Sequence, residues 1–97
     1  MKAYELLSSP EKWTQNVSSR DITGRHVTIH HENAVCFCMW GAIRKCYDTD
    51  DNNRINSTII TDLVRQELKL TSLLEIFGWN DRHSFEEVQN LLIKLDI

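Results

Sequence analysis

The sequence predicts a mainly helical α+β domain: four to five short helices around one buried central helix, with a single small β-hairpin. Three observations lead there. Ala34 to Tyr47 is apolar nearly all round at helical spacing, and a helix of that kind is buried. Arg25 to His30 alternates apolar and polar residues after Asp21-Ile22-Thr23-Gly24, as a strand following a tight turn does. Ser72-Leu73-Leu74-Glu75 and Ser84-Phe85-Glu86-Glu87 each carry the Ser-x-x-Glu pattern that opens a helix. The 97 residues fit one domain, residues 1–97.

In chain order, residues 2–8 read as a short amphipathic helix carrying Tyr4, Leu6 and Leu7. Ser9-Pro10-Glu11 reads as a cap with proline at the first helical position, and Trp13 anchors that turn. Val17 to Arg20 and Arg25 to His30 are the two hairpin strands, with Gly24 supplying positive φ between them. Val27 and Ile29 share one face of the second strand. His26, Thr28 and His30 share the other and read as a solvated face.

The central helix has two apolar stripes. Ala34, Phe37, Cys38, Gly41 and Ala42 form one; Val35, Met39, Ile43 and Cys46 form the other. Asn33 is placed to cap it, and Arg44 and Lys45 suit its C-terminal end. Gly41 costs up to about 1 kcal/mol against alanine inside a helix. Its place there implies that a backbone or a bulky ring, Trp13 or Trp79, lies against it. A polar loop, 48–57, leads to a helix over about 58–69 capped by Asn56 or Ser57. The helix opened by Ser72 ends at Gly78. The last helix buries Phe85, Val88, Leu91, Leu92 and Leu95.

Composition narrows the function classes. Eleven basic against 14 acidic residues, net charge −3, argue against a chain that wraps nucleic acid. There is no apolar run of about 18 residues, so no membrane-spanning helix is expected. The opening residues are too polar for a signal peptide. Three cysteines, an odd number crowded into residues 36–46, are not a disulfide framework, and the expected location is cytoplasmic.

Ala34-Val35-Cys36-Phe37-Cys38-Met39-Trp40-Gly41-Ala42-Ile43 resembles an Ala-x-x-aromatic-Cys-x-x-Gly-Ala-Leu motif. Trp79-Asn80-Asp81, followed by a Glu-Glu-Val helix, resembles the motif that closes the same proteins. With these motifs the chain resembles a family of small uncharacterised bacterial and phage proteins, a domain of unknown function. The resemblance covers most of the chain and implies the element order and a bacterial or phage origin. It implies no activity, ligand or catalytic residue. The acidic loop 48–56 is the least family-like part.

Four constellations could carry chemistry. Asp48, Asp50 and Asn52 stand at positions 1, 3 and 5 of an EF-hand-like loop, with the Arg54 carbonyl at 7 and Asn56 at 9. Asn53 replaces the glycine of position 6, and Ile59 the bidentate glutamate of position 12. The competing readings are weak Ca²⁺ binding and a solvated acidic loop. Cys36 and Cys38, two apart on a helix, diverge by about 200° and cannot grip one metal ion together; no second pair completes a zinc site. Cys36, near the predicted helix start, could act as a nucleophile with His26 or His83 and Asn80 or Asp81. Trp79, Asn80 and Asp81 read either as an interaction loop or as a helix connection whose tryptophan plugs the core.

By elimination, the sequence points to a non-enzymatic protein-binding or regulatory module whose partner is another protein, with no cofactor. Weak Ca²⁺ binding through loop 48–56 and a small cysteine-dependent enzyme are the alternatives.

Overall fold

The computed structural model describes residues 1–48 and 54–97. In chain order these form α1 (Ala3–Leu6), a 3₁₀ turn (Pro10–Lys12), β1 (Ser19–Arg20), β2 (Cys36–Phe37), α2 (Met39–Tyr47), α3 (Ile55–Glu67), α4 (Leu74–Arg82) and α5 (Phe85–Leu95). The fold is α+β and mainly helical, as the sequence predicts, with one small antiparallel strand pair.

The central helix is shorter than its apolar pattern suggests. A run that is apolar on every side has no periodicity to separate buried strand from buried helix. Val35 and Phe37, a β-branched and an aromatic residue, suit extended backbone. Cys36–Phe37 accordingly lies in a strand, with Phe37 buried. Cys38, extended at ψ 173°, caps α2, and its Sγ accepts the Gly41 N–H at 3.3 Å. Within α2, Met39, Ala42 and Ile43 are fully buried.

The strand pairing changes with it. The turn forms as read: Gly24 sits at φ +88° and its N–H donates to the Asp21 carbonyl at 3.0 Å. The Asp21 carboxylate accepts the N–H groups of Thr23 and Arg25, each at 3.0 Å. The hairpin is short: Arg20 bridges His26, the Val27 N–H donates to the Ser19 carbonyl at 3.3 Å, and the regular pairing of β1 is with β2, Ser19 opposite Phe37 and Arg20 opposite Cys36. Gly41 explains why β1 lies where it does. A Cβ there would stand 2.3 Å from the Ser18 carbonyl oxygen, so the approach is by backbone and neither predicted tryptophan ring is involved.

Helix α3 starts three residues ahead of the expected boundary. Arg54 takes the cap position without a side-chain cap bond, and Ser57 is buried inside the first turn. Helix α4 runs through Gly78 to Arg82. The Ser72 capping box does not form; the Glu75 carboxylate instead accepts the Thr71 hydroxyl. The box at Ser84 does form, with its two bonds at 3.0 and 3.2 Å. Leu7, Ile43, Val64, Ile76, Val88 and Leu92 join α1 through α5 in one core. Tyr4 donates its N–H to the Ile97 carbonyl at 3.2 Å, and Lys2 pairs with Asp96 at 2.5 Å.

Candidate interaction surface

Where α2 ends, Asp48 is enclosed: its side chain is 0% exposed. A carboxylate out of water needs partners for its lone pairs. Its Oδ1 accepts the Ser57 hydroxyl at 2.5 Å. Its Oδ2 meets the Arg44 Nη2 at 2.8 Å, the Arg44 Nε at 3.2 Å and the His30 Nε2 at 2.8 Å. Burial alone would raise its pKa, but the Ser57, His30 and Arg44 contacts outweigh that and hold it below the ordinary aspartate value. One residue thus joins α2, the first turn of α3 and the segment before β2. The order is serine–aspartate–histidine, with no contact from serine to histidine, so the cluster lacks the serine-to-base contact of an activated nucleophile.

Beside this junction lies a cleft of about 220 Å³ between α2, α3 and α4. Its walls include Trp40, Phe77, Leu73 and Leu74. The Trp40 and Phe77 rings pack at 5.0 Å and 49°, and the Arg44 guanidinium lies 5.0 Å over Trp40. Leu73 and Leu74, 40% and 78% exposed, present apolar surface to solvent at its rim. Arg44 and Arg54 line this cleft and also a second cavity, about 350 Å³, together with Thr28, Ile29 and His30. The two cavities therefore adjoin across the two arginines.

The residues singled out in the sequence fall elsewhere. Trp79, Asn80 and Asp81 belong to the last turn of α4 and not to a loop. Asn80 is buried and its amide is fully used. Its Oδ1 accepts the Trp13 indole N–H at 2.8 Å and the Met39 N–H at 3.0 Å. Its Nδ2 donates to the Thr14 carbonyl at 3.1 Å and to Asp81 at 3.3 Å. The Gln15 amide donates to the carbonyls of Asn80, Asp81 and His83, taking acceptors that a helix end leaves open. Asp81 is exposed and accepts the Asn16 N–H at 2.9 Å. Trp79 is half-buried and stacked on His83 at 3.9 Å.

Of the calcium-loop residues, Asp48 is bonded as described and Asn56 is exposed in the first turn of α3; Asp50 and Asn52 lie outside the described residues. Among the described residues no three His, Cys, Asp or Glu side chains converge on a metal-sized space. The cysteines are free. Burial pushes Cys38 and Cys46 each up to about 11, so both are thiols at neutral pH. Cys36 is a strand residue, half-buried, with its Sγ 3.9 Å from the Arg20 carbonyl. No helix among the described residues is long and apolar enough to cross a membrane.

Sequence reasoning missed the cleft and left Asp48 between a weak Ca²⁺ loop and a solvated acidic loop. The i,i+4 spacing of Arg44 and Asp48 was a readable sign of a helix-end ion pair. The pairing of His30 with Asp48 had no local sign. Residues 1–94 match a family of unknown function (DUF6197). No curated protein and no solved structure matches the chain.

Proposed function

The chain belongs to the DUF6197 family, and from that premise we propose that it is a non-enzymatic protein-binding module that seats one bulky apolar side chain of a partner in the Trp40–Phe77–Leu74 cleft. The observation that carries the reading is the cleft itself. At about 220 Å³ it falls below the roughly 300–1,000 Å³ of small-molecule sites, and its size suits a single side chain. Binding interfaces are dominated by a few bulky anchors in pockets of this kind. The exposed leucines beside it supply apolar contact around such an anchor.

Two further observations favour binding over catalysis. Both Asp48 oxygens are engaged by Ser57, Arg44 and His30, and the Cys38 and Cys46 thiols are protonated at neutral pH. A bacterial or phage origin rests on the resemblance of the Cys-x-x-Gly-Ala and Trp-Asn-Asp sequences to small bacterial and phage proteins. A reducing, cytoplasmic setting is supported by the three free cysteines.

Selection from a random peptide library on the immobilised protein tests the reading. Binders should share a Trp, Phe or Leu anchor and lose about tenfold or more in affinity against Leu74→Asp. Recovery of no binder, or binders indifferent to Leu74→Asp, would overturn it.

A further inference from the structure

We propose that the cavity adjoining the cleft is a second subsite that takes the carboxylate of an aspartate or glutamate next to the apolar anchor, so that the partner segment is an acidic–apolar peptide. This rests on the cleft reading above and specifies the ligand for it. Among the described residues, the lining is Thr28, Ile29, His30, Arg44 and Arg54, two of them arginines, with no aspartate or glutamate. Asp48, just behind, offsets one positive charge; both of its oxygens are already engaged. Among the described residues, one cationic charge in excess remains at the cavity.

Arg44 is held ready for an anion. Its Nε and Nη2 are fixed on Asp48, its plane lies over Trp40, and its side chain is only 11% exposed. Neither bond to Asp48 uses Nη1. A cation already immobilised loses little further freedom on binding. His30 is likewise oriented through its Nε2 contact with Asp48. Guanidinium groups match the planar, two-oxygen geometry of a carboxylate. Because the two cavities share Arg44 and Arg54, anchor and acid must be close neighbours in one segment. The net charge of −3 disfavours a long polyanion such as nucleic acid, whereas a short acidic motif needs only the local field.

The peptides recovered from the library provide the probes. A selected binder carrying Glu beside its anchor is compared with its Glu→Gln and Glu→phosphoserine versions, on the wild-type protein and on Arg54→Gln. Arg54 is exposed, so its replacement leaves the core intact. The Glu→Gln change should weaken wild-type binding about fivefold and leave binding to Arg54→Gln unchanged. Binders that share an apolar anchor without any acidic preference would overturn the second subsite and leave the cleft standing; absence of binders removes both. Tighter binding of the phosphoserine version would assign the subsite to phosphate and overturn the carboxylate. Inorganic phosphate should compete no better than chloride at equal ionic strength.

Discussion

The Asn80 side-chain oxygen accepts the Trp13 indole N–H from 67 residues away, at 2.8 Å, and takes the Met39 N–H as well. No apolar residue could replace that amide. Asn80→Leu would strand the buried Met39 N–H and leave the part-buried Trp13 indole N–H and Thr14 carbonyl without this partner. The expected cost is about 2–4 kcal/mol, read as a lowered urea midpoint with an unchanged slope. A loss under about 0.5 kcal/mol would show that water reaches the site.

Gly41→Ala should destabilise despite alanine's better helix propensity. The gain is at most about 1 kcal/mol. The added Cβ meets the Ser18 carbonyl oxygen at 2.3 Å, and a backbone atom cannot swing aside as a side chain can. A net loss of about 1–3 kcal/mol is expected in thermal melting. Equal or higher stability would mean that β1 can retreat from α2.

Asp48 makes stability depend on pH in a defined direction. Its folded pKa lies below the unfolded one, through the Ser57, His30 and Arg44 contacts acting against burial. Its contribution is therefore complete above the ordinary aspartate value, about 4, and is lost as pH falls through the lower folded value. Asp48→Asn should flatten the acid limb of a urea-midpoint profile between about pH 5 and 2. Glu11, Asp21, Asp62 and Glu87, lowered by their own hydrogen bonds, keep the remaining slope. A variant profile parallel to wild type would contradict the assignment.

Thiol labelling at pH 8 should be slow at Cys38 and Cys46, whose pKa values burial has raised to about 11. About one molecule in a thousand would hold either thiolate at that pH. Unfolding in urea should release both. Rapid native labelling of Cys38 would show that burial does not hold it as a thiol.

Calcium at millimolar concentration should leave the melting temperature unchanged, because Asp48 would have to give up Arg44, His30 and Ser57 to ligate it. A rise in melting temperature abolished by Asp50→Asn would restore the EF-hand-like reading.

Much of the architecture was legible because it is local. The Ser84 capping box, the Gly24 turn and the stripe of α5 all rest on neighbours within four residues. What escaped is nonlocal. The true partner of β1 is Cys36–Phe37, hidden inside an apolar run that reads equally as helix. Gly78 looked like a helix end. The end falls at Arg82, and the Gln15 amide, 65 to 68 residues away, caps the carbonyls there. The site was less legible still. Leu73 and Leu74 stood only as the middle of a capping-box pattern, and their exposure follows from how α4 docks. Asp48 read as a Ca²⁺ ligand or a solvated loop residue, because its partners Ser57 and His30 lie 9 and 18 residues off.

The bonds that Trp13, Thr14, Gln15 and Asn16 make with α4 have a consequence for timing. None can close until residues 80–83 have been synthesised. As the chain leaves the ribosome, its first sixteen residues are made long before their partners exist. The segment that clasps α4 then settles late, since contacts so distant in sequence carry a large loop-closure cost, as do those of Tyr4 with Ile97 and Lys2 with Asp96.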